Sequence, residues 1–118
     1  MANILIAEDD PVIVTLCLKR FQNTPHQIQV ARDGERALYL ALAEKPDLIV
    51  LDLMLPKLDG VSVLSGIRGQ RLTMPIIAMT GLDDDESREQ TLLMGADEYI
   101  TKPFAFNHLM TCISVYIG

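Results

Sequence analysis

A doubly wound α/β domain, five parallel strands with helices on both faces, is the fold class this sequence predicts, on three observations. Five short β-rich apolar runs alternate with helix-length segments, the pattern that right-handed crossovers turn into one parallel sheet. The middle run, "DLIVL" at 47–51, is apolar throughout, as a strand covered on both faces must be. Polar residues follow four of the runs directly: Glu8, Asp9 and Asp10, then Asp52, Thr80 and Lys102. Parallel strands deliver all of them to one sheet edge, where open α/β sheets bind their ligands.

The elements follow in order. "NILIA" at 3–7 is the first strand. Asp10 and Pro11 then open a helix, a capping side chain followed by a ring suited to the first turn, which runs to about Gln22 before Asn23, Thr24 and Pro25. "QIQVA" at 27–31 alternates and reads as a strand with one face partly wet. Asp33 caps a helix over 34–44, stopped by Pro46. The third strand covers 47–51. Asp59 makes a turn before a third helix over 60–69, and Gly60 supplies backbone freedom there. "PIIAM" at 75–79 is the fourth strand, with proline at the position where it does least harm. Residues 83–94, "DDDESREQTLLM", form the fourth helix, acidic in its first turn as the macrodipole favours, and Gly95 ends it. "EYIT" at 98–101 is the last strand. The last helix runs from Phe104 to about Tyr116; Ala105 offers no cap, and Asn107 is the candidate cap for a later start.

Length and composition bound the function. The 118 residues suit one domain, 1–118, and the 49% hydrophobic content is enough for a core. A net charge of −6 argues against direct nucleic-acid binding, which needs clustered Lys and Arg. No apolar run reaches the roughly 18 residues of a membrane span, and "MANILIAEDD" turns acidic too early for a signal peptide. Cys17 and Cys112 are isolated thiols; they read as small core residues of a cytoplasmic, reducing environment.

The polar edge specifies a chemistry. Glu8, Asp9 and Asp52 placed together repel one another unless a cation resolves them. Mg²⁺, or Mn²⁺ in its place, takes oxygen ligands of this kind alongside phosphate oxygens. With the Lys102 ammonium and the Thr80 hydroxyl beside them, Asp52 can attack an incoming phosphoryl group in line and form an acyl phosphate. Singly, each residue has a plainer role: Asp9 and Asp10 as caps, Asp52 in a turn, Thr80 as a turn hydroxyl, Lys102 on the surface. Their joint placement at four strand ends is what carries the signal. Gly81, directly after Thr80, fits a site that needs close access.

"ILIAEDDP", "DLIVLDLMLPKLDG", "PIIAMTG" and "GADEYITKPF" together make the chain resemble a response-regulator receiver domain of two-component signalling over essentially its whole length. The resemblance implies a flavodoxin-like strand order 2-1-3-4-5. It implies Asp52 as phosphoacceptor from a histidine kinase or a histidine phosphotransfer protein, in a signalling domain whose only catalysis is its own phosphotransfer and dephosphorylation. It implies a metal site of Glu8, Asp9 (the direct ligand), Asp52 and the backbone carbonyl of Met54. Thr80 and Lys102 contact the phosphoryl group, and Tyr99 is the aromatic switch, turning inward as Thr80 moves. The Lys102–Pro103 bond is cis. An output domain or downstream protein reads the face of the fourth helix, fifth strand and last helix. The chain is either a single-domain regulator or the N-terminal part of a longer one.

Three departures from that pattern matter. Met54 and Leu82, the residues two after the acceptor and two after the threonine, are apolar and cannot orient a hydrolytic water, which implies a long-lived phosphoryl state. The last helix carries no Lys or Arg, so the ion-paired dimer common among DNA-binding members is not expected, although Arg88 and Asp97 are present. The first helix is unusually apolar at Val12, Val14 and Leu18; this is either an exposed docking patch or deeper packing against the last helix. Two other functions fit less well. A phosphoaspartate hydrolase of the haloacid-dehalogenase type wants an acid where Met54 stands and more chain for a substrate cap. A phosphorylation-independent docking scaffold does not need the intact set of acids, hydroxyl and ammonium.

Overall fold

Aliphatic residues alternating in direction build the sheet from β1 (Asn3–Ala7), β2 (Gln27–Ala31), β3 (Leu48–Asp52), β4 (Ile76–Thr80) and β5 (Glu98–Thr101). The computed structural model describes residues 1–117. All pairings are parallel, in the order β2-β1-β3-β4-β5. The interior strands β3 and β4 are buried along their whole length, and the edge strand β2 alternates.

Successive side chains of a strand point to opposite faces, so two cores form. Leu5, Leu51 and Tyr99 pack with α2 (Gly34–Glu44) and α3 (Gly60–Gly69) on one face; Ile4, Ile6 and Ile77 pack with α1 (Pro11–Phe21) and α5 (Phe106–Ile117) on the other. The remaining helix, α4 (Asp85–Leu93), buries only Thr91. Cys17 is buried and Cys112 half-buried, both as free thiols. Among the described residues no helix is long and apolar enough to cross a membrane.

Aspartates open four of the helices. Asp10, Asp33, Asp59 and Asp84 accept the backbone N–H of Val12, Arg36, Ser62 and Ser87 at 2.7–2.9 Å. Asp59 is therefore a cap rather than a turn residue, and its bond from the Ser62 N–H holds its carboxyl below the usual range. Helix α4 starts two residues later than its acidic run because Asp84 is the cap.

Other boundaries shift as well. β3 and β4 each extend one residue past their apolar runs, so Asp52 and Thr80 lie inside strands. Main-chain pairing ignores side-chain polarity, and the ladder continues to Leu53, whose N–H donates to the Met79 carbonyl at 2.8 Å. Helix α5 starts at Phe106 rather than 104. Asn107 is not its cap: the Ala105 carbonyl opens the helix by accepting from His108 N–H, and Asn107 lies inside the first turn. Gly60 is required for a different reason than backbone freedom. Its φ is not positive, but a Cβ there would sit 2.4 Å from Leu53 Cα and 2.5 Å from the Asp52 carbonyl oxygen. A Cβ at Gly81 meets nothing within 4 Å, so packing does not demand glycine at that position.

Candidate functional site

The carboxyl ends of β1, β3, β4 and β5 meet at one edge because parallel strands in register end together. Glu8, directly after β1, is fully buried. Its Oε2 accepts the N–H groups of Asp9 and Asp10 at 2.9 and 3.1 Å, and its Oε1 accepts from Lys102 Nζ at 2.7 Å. The same ammonium donates to Asp52 Oδ2 at 3.1 Å, and Asp52 Oδ1 accepts from Met54 N–H at 2.9 Å. One carboxylate oxygen from each of Glu8, Asp9 and Asp52 lies within 4.8 Å of the others. Asp9 is exposed, while Glu8 and Asp52 are buried. The Lys102–Pro103 bond is cis.

Thr80 and Tyr99 are both buried and are linked through the backbone of Leu82. Leu82 N–H donates to Thr80 Oγ1 at 3.2 Å, and the Tyr99 hydroxyl donates to the Leu82 carbonyl at 2.6 Å. The side chains of Met54 and Leu82, 66% and 51% exposed, line one cavity with Thr80 and Tyr99. The structure thus groups the carboxylates of Glu8, Asp9 and Asp52, places Lys102 on Glu8 and Asp52, and links Thr80 to Tyr99 through Leu82.

Three carboxylates against one ammonium leave the cluster short of positive charge. Burial pushes the Glu8 carboxyl up to about 7, with the Lys102 bond pulling it down and Asp52 pushing it up. Burial also pulls the Lys102 pKa down, but its bonds to Glu8 and Asp52 outweigh that and hold it above the lysine range. An all-oxygen donor set with excess negative charge fits a hard divalent cation such as Mg²⁺.

The Glu8 shift has a consequence for stability. The folded chain holds this proton up to about pH 7, whereas the unfolded chain loses it near 4.5. Between those values the folded state binds more protons, so stability falls as pH rises. In chelator, the melting temperature is therefore expected to rise as pH is lowered from 7.5 to 5.5, about the window of the shift. Saturating Mg²⁺ should flatten the trend, since a cation favours the ionised form. A flat profile in chelator, followed by scanning calorimetry, would refute the assignment.

The first helix resolves the open choice about its apolar residues. Val14 is core, while Val12 and Leu18 are exposed. Leu16, one turn from Val12 and not singled out from sequence, joins them at 41% exposure. Val12, Ile13 and Leu16 form one wall of a groove of about 420 Å³ whose other wall is Pro103, Phe104 and Phe106. The i, i+4 spacing of Val12 and Leu16 was the available signal; the second wall comes from the far end of the chain.

Comparison with known proteins places this geometry. The sequence model described as "Response regulator receiver domain" matches residues 4–114. The chain is 46% identical over 102 residues to the alkaline phosphatase synthesis transcriptional regulatory protein PhoP of Bacillus subtilis (strain 168), covering 86% of this chain and 42% of that protein. It thus spans less than half the length of that relative. The receiver domain of the Francisella response regulator 1452 superposes with a TM-score of 0.90 at 34% identity, covering 98% of this chain and 96% of that one. The receiver domain of the sensor histidine kinase PA1611 from Pseudomonas aeruginosa PAO1, which has a magnesium ion coordinated in its active site cleft, superposes at 0.84 with 33% identity, covering 99% and 98% of the two chains.

Proposed function

The chain belongs to the response regulator receiver domain family, and on that premise we propose that residues 1–118 act in the cytoplasm as a phosphorylation switch that takes a phosphoryl group on Asp52. The donor is a phosphohistidine on a histidine kinase or histidine phosphotransfer protein. The bond formed joins an Asp52 carboxylate oxygen to phosphorus, the phosphorus–nitrogen bond breaks, and the imidazole leaves. The observation that carries this reading is the Lys102 ammonium bridging Glu8 and Asp52 at 2.7 and 3.1 Å, beside the exposed carboxylate of Asp9.

Each residue has a task that its position supports. Asp52 is held by Met54 N–H on one oxygen, which orients it for attack. Lys102 neutralises charge that develops on the transferred group. Asp9, Asp52, the Met54 carbonyl and, from behind, Glu8 would hold Mg²⁺. When bound, that ion neutralises phosphoryl oxygens and the excess charge of the acids. Thr80 moves toward the phosphoryl group to donate its hydroxyl hydrogen, and that movement draws Oγ1 away from Leu82 N–H. Tyr99, expected to turn inward, is already buried with its hydroxyl on the Leu82 carbonyl, so in this reading it registers the change through that bond and passes it to the face of α4, β5 and α5. Domain output at that face is the purpose; steady turnover of a substrate is not.

Incubation with a small phosphodonor and Mg²⁺, followed by intact mass, tests the reading. Gain of one phosphoryl group supports it, and an unchanged mass with the metal bound sinks it.

The apolar mouth predicts a slow off-switch. Met54→Asn combined with Leu82→Glu is expected to speed loss of label about tenfold, about 1.4 kcal/mol of barrier. An unchanged decay of the labelled protein would mean that these side chains do not govern access of water.

The groove beside α1 is where the donor protein docks in this reading. Leu16→Glu should lower the rate of transfer from a phosphorylated histidine protein about tenfold while leaving uptake from a small phosphodonor unchanged. Equal slowing from both donors would place the defect in the chemistry instead.

A further inference from the structure

Helix α4 carries a feature that neither core packing nor the phosphoryl site uses. Its inward stripe is Ser87, Thr91 and Met94, of which only Thr91 is buried. On the outward side two adjacent leucines stand in solvent, Leu92 at 36% and Leu93 at 87% exposure. They line a shallow cleft with Glu89. Glu89 and Glu86 lie one and two turns before Leu93 on the same side, since residues three, four and seven apart share a helix face. Among the described residues none of the ion pairs engages Glu86, Glu89 or Arg88. An exposed leucine pair rimmed by uncommitted carboxylates is the layout of a binding patch, apolar at its centre and charged at its rim.

From this we infer that the outer face of α4 docks a basic, leucine-bearing helical segment of a partner protein. Charge decides the occupant. A second copy related by a twofold axis would set this face against itself or against α5. Helix α5 has no Lys or Arg, and α4 has only Arg88 to set against its acids. Two copies therefore bring carboxylates together when α4 meets α4, and leave them without a Lys or Arg partner when α4 meets α5, which disfavours self-pairing. A partner helix with Lys or Arg flanking large aliphatic side chains satisfies both the leucines and the rim. Calling this surface an output rests on the switch reading; the docking chemistry does not.

The test uses the full chain, a designed amphipathic leucine–lysine peptide and its leucine–glutamate counterpart. Amide spectra are recorded with and without small phosphodonor and Mg²⁺, alongside sedimentation velocity. The lysine peptide is expected to shift the amides of 85–94. Its affinity should fall about tenfold in Glu86→Lys with Glu89→Lys, and separately in Leu93→Ser. The glutamate peptide should leave these signals in place, and the chain should sediment as a monomer. An equal response to both peptides, no loss in either variant, or a dimer abolished by Leu93→Ser overturns the inference. Binding by a chain that takes no label from the phosphodonor leaves the inference standing while the switch reading fails. Label without peptide binding does the reverse.

Discussion

Asp52→Asn is expected to take up no phosphoryl group from a small phosphodonor in Mg²⁺, while melting at or above the temperature of the parent chain in chelator. The amide has the shape of the carboxylate and keeps an oxygen for the Met54 N–H, which now bonds Asp52 Oδ1 at 2.9 Å. It loses the nucleophile, because an amide oxygen at neutral pH does not attack phosphorus as a carboxylate does. It also removes one of three crowded negative charges and leaves Lys102 to Glu8, its shorter partner at 2.7 Å. Loss of that charge takes away one cause of the raised Glu8 pKa. Intact mass and thermal melting read the two effects separately. Label on the Asn variant would put the acceptor elsewhere, and undiminished downstream signalling by it would favour a scaffold that works without phosphate.

Gly34→Ala is expected to cost about 3 kcal/mol, at the upper end of what overpacking does. A Cβ at this position would lie 1.6 Å from the Leu58 carbonyl oxygen and 2.5 Å from its carbon. Neither neighbour can yield easily. Gly34 N–H donates to the Pro56 carbonyl at 3.0 Å, Leu58 N–H donates to the same carbonyl at 2.8 Å, and Gly60 N–H ties the loop to Leu53 at 2.9 Å. The strained segment is the loop leaving β3 just after Asp52, so phosphoryl uptake should slow as well. Gly69 at the end of α3 is the control. A Cβ there meets nothing within 4 Å, and Gly69→Ala should be neutral or stabilising by up to about 1 kcal/mol. Urea unfolding of both variants checks the contrast; similar midpoints for the two would show that the loop simply moves aside.

Much of the architecture was legible because its signals are local. The largely apolar run at 47–51 reads as a strand covered on both faces, and Asp10 and Asp33 announce helix starts by their own side-chain chemistry. Boundaries failed where side-chain polarity and main-chain pairing part company. Asp52 and Thr80 look like the first residues past a strand, yet their backbones still pair. Asn107 looks like a cap, yet the Ala105 carbonyl opens the helix without one. Gly60 looks like a hinge, yet it is the approach of Leu53 that excludes a side chain.

Which residues gather at the edge, and with what chemistry, the sequence by itself determined: acids after the first and third strands, a hydroxyl from the fourth and an ammonium after the fifth. Connectivity of the parallel sheet then leaves them no other place to go. Only the tertiary structure decided how they divide one another's charge. Glu8 takes the shorter bond from Lys102 and Asp52 the longer, and it is the burial of Glu8, against the pull of that bond, that pushes its carboxyl up to about 7. Tertiary packing alone also decided that Val14 turns inward while Val12 and Leu16 stay out to face Phe104 and Phe106. The physical reason is range. Propensity, capping and apolar period act within a few residues, whereas desolvation and ion pairing depend on groups up to 94 positions apart along the chain.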